Sequence, residues 1–266
     1  MYSAKQSKNL ANSGWWKTTA IALVALAGIV ALQFYGLRSL NRGKEDPKAA
    51  EKQEALRLQL LKKTPTFGYD NLIADWTFLK FLQYFGDDPV RDKIGYSLSQ
   101  DYFDIVTKLD PRWVDIYLFL TTALSIYEAK PKVSVEYTTR GTNALSPEID
   151  PKAWQLWRFK GIDQILFLND TKGAIYSHEM AADWVANTPD RDFAPLFKDT
   201  AEFLKTDPDN KLIRFNAWLW IYYQSPDEKV KERAKKELIA LGAKVEEGID
   251  GTIKFVLPDA KPTEKK

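Results

Sequence analysis

Apolar residues recur along most of this chain at intervals of three and four, the spacing that gathers them on one face of an α-helix. Asp46-Pro47 reads as a cap followed by a first-turn proline. The helix it opens carries Ala55, Leu56, Leu58, Leu60 and Leu61, and Thr64, Pro65 and Gly68 end it. Residues 69–85 place Leu72, Ile73, Trp76, Leu79 and Leu82 at helical spacing, and residues 90–109 do the same with Ile94, Leu98, Tyr102, Ile105 and Leu109. Residues 112–128 are apolar on nearly every side, which marks a central helix. Further helices are predicted over 132–145, from Asp150-Pro151 to about 168, from Asn169-Asp170 to about 187, from Pro189 to about 205, and after Asp207-Pro208. A last one, capped by Ser225-Pro226, ends at Leu241-Gly242. Only the tail changes period: residues 251–257 have strand character and pair as a hairpin with residues 244–246, and the final AKPTEKK frays.

One segment breaks the amphipathic pattern. Residues 18–37, TTAIALVALAGIVALQFYGL, hold no charge. As a helix, 20 residues span about 30 Å, the hydrocarbon thickness of a bilayer. Trp15 and Trp16 mark one interface and Phe34 and Tyr35 the other, with Lys17 and Arg38 bracketing the run. A cleaved signal peptide has a shorter apolar stretch followed by small residues, whereas bulky Gln33, Phe34 and Tyr35 stand here. The expectation is an uncleaved, single-pass anchor in contact with lipid through residues 18–37. Orientation rests on two opposed signals: more bases follow the span than precede it, while a short N-terminal tail usually stays cytoplasmic. The balance favours the body on the non-cytoplasmic side.

Charge sharpens this division. Residues 1–17 carry +3, residues 38–63 carry +4, and the remainder must carry −5 to give the net +2. The acidic body argues against nucleic-acid binding. There is no cysteine and one histidine, His178, so thiolate chemistry, disulfides and histidine-pair metal sites are excluded within one chain. Nine tryptophans need a packed core or a binding surface.

The helix-opening prolines have a rhythm. Pro111, Pro151, Pro189 and Pro226 are 40, 38 and 37 residues apart, and each interval holds two helices. That is the pattern of a helix-pair solenoid, in which each unit covers the apolar face of the next. Within it, residues 154–189 resemble a tetratricopeptide repeat: Trp154 and Trp157 come early, then Gly161, then Ala174, Tyr176, Ala181 and Ala182, with Pro189 closing. Residues 102–111, YFDIVTKLDP, look like the end of another such repeat. The resemblance covers residues 90–241, with a period longer than the family's ~34 residues. The expected fold is all-α: an N-terminal transmembrane helix, a right-handed helix-pair array and a small C-terminal β-hairpin. The chain then divides into a basic tail (1–17), the membrane helix (18–37), a linker with an amphipathic helix (38–63), the helical domain (64–241) and the hairpin with its tail (242–266).

No catalytic constellation stands out. There is no glycine-rich phosphate loop, no Gly-x-Ser-x-Gly and no His-Glu-x-x-His, so no enzyme activity and no cofactor are expected. His178 reads as a surface or groove residue. Asp75, inside LIADWTFLKF, reads as a carboxylate on a polar face or bonded to a neighbouring helix, in preference to a buried acid in a groove. A helix-pair array presents a concave surface lined by the first helix of each pair, which nominates Arg158 and Gln164, with Asp115 and Tyr117, as partner-binding residues. Trp157 and Arg158 are about 100° apart on a helix; Trp157 is expected to pack and Arg158 to face the groove. The expected function is a membrane-tethered interaction module, a scaffold or assembly factor for a membrane-protein complex, as in single-span tetratricopeptide proteins that this architecture resembles. The alternatives are a permanent accessory subunit of such a complex and, less favoured, a membrane-bound enzyme.

Overall fold

The computed structural model describes residues 17, 19–31, 33, 46–206, 211–225, 227–247 and 253–258. The chain forms two compact units, residues 1–50 and 51–266. In the first, residues 19–31 are helical and exposed, as is Lys17. Among the described residues no helix is long and apolar enough to cross a membrane. Trp15, Trp16 and Arg38 lie outside the described residues, as do Thr18, Leu32, Phe34, Tyr35 and residues 36–37 of the expected span.

The second unit is built almost entirely of helices. In chain order they are α1 (Pro47–Leu61), whose first four residues belong to the first unit, α2 (Asp70–Phe85), α3 (Asp88–Ile94), α4 (Ser99–Leu109) and α5 (Ile116–Thr121). Then come α6 (Pro131–Ala144), α7 (Trp154–Leu166), α8 (Thr171–Val185), α9 (Ala194–Thr206), α10 (Lys211–Gln224) and α11 (Glu228–Ala240). Strands β1 (Lys244–Glu247) and β2 (Ile253–Val256) pair antiparallel, with Val245 opposite Phe255. The arrangement is a helical array compatible with a repeat solenoid, closed by the two-stranded sheet.

Local chemistry explains several boundaries. The Asp46 carboxylate accepts from the Lys48 N–H at 3.2 Å, taking up an amide that helix geometry leaves unpaired. Asp150, expected to cap α7, instead accepts from the Lys152 N–H at 2.7 Å within the turn before it, and Ala153 stands at the start of α7 with no side-chain cap. Asp170 caps α8 through the Gly173 N–H at 2.9 Å. For α11 the cap is Asp227, which accepts from Lys229 and Val230, two residues beyond the expected Ser225. The continuous helix expected over 90–109 is two helices. Gly95 sits at φ +79°, a left-handed conformation that helices do not contain, and it ends α3. The apolar helix expected over 112–128 begins only at Ile116 and ends as a π-helix over Thr122–Tyr127.

Packing follows the solenoid order through the middle of the chain: α6 lies on α7, α7 on α8 and α8 on α9. Two glycines let helices approach closely. A Cβ on Gly141 would come within 2.4 Å of Leu156 and Tyr117, and one on Gly161 within 2.7 Å of the His178 ring. His178 is therefore buried between α7 and α8, with Nδ1 2.8 Å from the Ala174 carbonyl, and is neither a surface nor a groove residue. Burial lowers its pKa. The rhythm breaks after α9. Instead of pairing with α9, α10 packs on α11 and reaches back to α7. Phe215, Trp218, Ile221, Val230, Ala234 and Leu238 form their own core with Phe255 and Leu257 of the hairpin region. Trp154, Trp157 and Trp218 are core residues, whereas Trp76 and Trp220 are exposed, as is Asp75.

Candidate functional site: an apolar groove between α5, α7 and α10

Three helices leave a groove of about 530 Å³. Helix α7 supplies its floor from one face: Arg158, Ile162 and Leu166 at i, i+4 and i+8, with Phe159 and Asp163 alongside. Leu118, Thr121, Thr122 and Ile126 come from α5 and its π-helical continuation, and Ala217, Trp220 and Ile221 from α10. The threonines do not make the wall polar. Thr121 and Thr122 both donate to the Leu118 carbonyl, at 3.2 and 2.8 Å, which leaves their methyl groups for the wall.

A π-helix widens the turn by one residue and is common where a backbone is shaped for a site. Here Glu128 N–H reaches the Ala123 carbonyl at 2.9 Å, five residues back. Two carbonyls of this segment, those of Ser125 and Ile126, accept from Arg233 Nη1 at 2.7 and 3.1 Å. The same guanidinium stands 5.2 Å from the Trp218 ring and 5.6 Å from Phe167. Burial lowers its pKa, but arginine stays charged. Arg233 thus ties α11 to the π-helix and fixes one end of the groove.

Two ionisable groups bear on the groove, and their surroundings differ. Asp163 is 2% exposed. Ser134 Oγ donates to its Oδ2 at 2.5 Å, and the Ser125 hydroxyl lies close by. Burial pushes the Asp163 carboxyl up to about 7, and the two serines offset this only in part. Arg158 is exposed, and among the described residues it makes no hydrogen bond or ion pair; its guanidinium stands 5.8 Å from the Phe159 ring. The groove is an apolar trough with an uncompensated cation and an exposed Trp220 at its edge. Aromatic and arginine anchors dominate binding energy at protein interfaces. Among the described residues no three of His, Asp and Glu group to hold a metal ion.

The residues nominated from sequence separate. Arg158 lines the groove, and Trp157 is buried against Tyr176 and Trp184. Gln164 is buried on the opposite face of α7, where its amide donates to Asp170 at 3.2 Å and its carbonyl accepts from Ser177 at 2.6 Å. Tyr117 is fully buried and donates to the Pro111 carbonyl at 2.9 Å. Both are packing residues, because they lie on the helix faces turned to the next helix of the array. Asp115 is exposed just before α5, outside the groove lining. Ile162, Leu166 and Trp220 were missed. The 158/162/166 stripe is visible in sequence, but the approach of α10 that makes it a groove is not. Compared with protein families, curated proteins and solved structures, the chain matches none.

Proposed function

We propose that this protein is a membrane-tethered interaction module of tetratricopeptide-like design, in which residues 18–37 hold the helical body beside a membrane-protein complex that it scaffolds or helps to assemble. One observation carries the reading: a preformed apolar groove whose only free charge among the described residues is Arg158, with Trp220 exposed beside it. A segment that places apolar side chains along Ile162 and Leu166 and a carboxylate on Arg158 fits this surface. The uncharged 20-residue run, with aromatic and basic flanks, supports the tether. The body lies on the non-cytoplasmic side in this reading.

Affinity capture of the full-length protein from gently solubilised membranes tests it. Arg158→Glu is expected to lose the co-purifying partner while melting as the wild type does, since exposed substitutions cost under about 0.5 kcal/mol. Lys236→Glu, an exposed change on α11, is expected to retain the partner. Unchanged capture by Arg158→Glu refutes the groove assignment.

A further inference from the structure

We propose that the exposed apolar face of α2, with the turn before it, lies on the bilayer surface. The structure leaves an apolar patch there that no other element covers among the described residues. In α2, Leu72, Trp76 and Leu79 recur at i, i+4 and i+7 and are 63%, 55% and 54% exposed. The opposite side of the same helix is core: Phe78 and Phe81 are buried against rings from α4 and α5 and the turn before α5. A helix that is apolar on both sides has a second partner.

The turn before α2 extends the patch. Phe67 is 82% exposed and Tyr69 64%. Phe67 adopts φ +52° and Gly68 φ +88°, a consecutive left-handed pair at the turn. Bulky residues avoid that conformation, and it recurs where the chain is held for a task. Here the phenyl ring at the turn is turned to solvent.

Charge and chain continuity say what covers it. On α1 the exposed positions Lys52, Leu56 and Leu60 follow at i, i+4 and i+8, and Lys63 stands exposed in the turn just past the helix end, so two leucines lie between two lysines. That is the make-up of a helix lying in a membrane interface, apolar at the centre with cations that reach back to headgroups. Lys80, 5.2 Å from the Trp76 ring, borders the α2 stripe on one side and Asp75 borders it on the other. Residues 38–63 carry +4 while the rest of the body is acidic, so this end of the chain suits anionic lipid. Nine residues, 38–46, join the uncharged run to α1, and at full extension they reach about 30 Å. The inference rests on the tether reading to that extent, and the groove plays no part in it.

The chain has no cysteine, so single cysteines give clean labels. Full-length Leu72→Cys, Trp76→Cys and Leu79→Cys, each carrying a nitroxide, are reconstituted in phosphatidylcholine–phosphatidylglycerol vesicles. Lys236→Cys serves as the aqueous reference and Ala25→Cys reports the run itself. The expected result is that the three α2 labels collide with oxygen in preference to a water-soluble nickel chelate, several-fold more than the Lys236→Cys label does. Equal chelate access at all four positions overturns the proposal. So does exclusion of both reagents, which marks a protein contact, or spin–spin broadening between labels, which marks a second copy of this chain. An Ala25→Cys label immersed in lipid beside aqueous α2 labels retires the surface contact and leaves the tether standing. An aqueous Ala25→Cys label retires the tether.

Discussion

The buried acid Asp163 makes stability depend on pH in a direction opposite to that of most carboxylates. Its ordinary value is 3.8, and burial raises it to about 7 in the folded chain. Below about pH 4 the group is protonated in both states and contributes no difference. Between about pH 4 and 7 the unfolded chain has lost the proton and the folded chain keeps it. Unfolding then releases a proton, so stability falls as pH rises, by about 1.4 kcal/mol per unit. A shift of roughly three units corresponds to about 4 kcal/mol, lost by pH 7 and constant above it. Asp163→Asn removes the charge and keeps an oxygen to accept from Ser134. Urea unfolding of both proteins across pH 4–8, followed by far-UV circular dichroism in a non-ionic detergent, isolates the effect as a difference that cancels other titrations. The variant is expected to match the wild type within about 1 kcal/mol near pH 4 and to exceed it by several kcal/mol at pH 8. A difference that stays flat across that range, or a variant less stable at pH 8, refutes the description of Asp163 as a carboxyl stranded in the core.

Trp157→Ala is expected to destabilise the fold by about 3–5 kcal/mol, because it empties a site buried between α7 and α8; denaturant midpoints check it. Asp104 behaves in the usual way. Burial alone raises its pKa, but hydrogen bonds from Lys108, Lys62 and Arg140 outweigh it and hold the carboxyl down at about 2. Its folded value lies below its unfolded one, so its contribution is present above about pH 4 and disappears as pH falls through about 2. Asp104→Asn is expected to cost about 2 kcal/mol at pH 7 and nothing at pH 2, read from the same unfolding curves.

Much of the helical pattern was legible because it is set by neighbours in sequence. Asp46 and Asp170 cap helices through amides two or three residues away, so the chain announces those starts wherever the helices later pack. The hairpin was legible for the same reason. The break at Gly95 was overlooked because the apolar stripe of Ile94, Leu98 and Tyr102 runs across it in register. The separation of Arg158 from Trp157 also came from sequence, since adjacent helical residues cannot share a face. Gln164 and Tyr117 show the limit: polar groups on a helix read as surface until a second helix is known to satisfy them.

The sequence by itself determined the helical class, the caps at Asp46 and Asp170, the uncharged run and the absence of thiol chemistry, all of which depend on residue type and short spacings. Tertiary structure alone decided that His178 is buried against Gly161, that burial raises the Asp163 carboxyl to about 7, and that α10 turns away from α9 to close a groove over α7. Those facts depend on desolvation and on close approach between segments far apart in the chain, and neither leaves a local pattern in the order of residues.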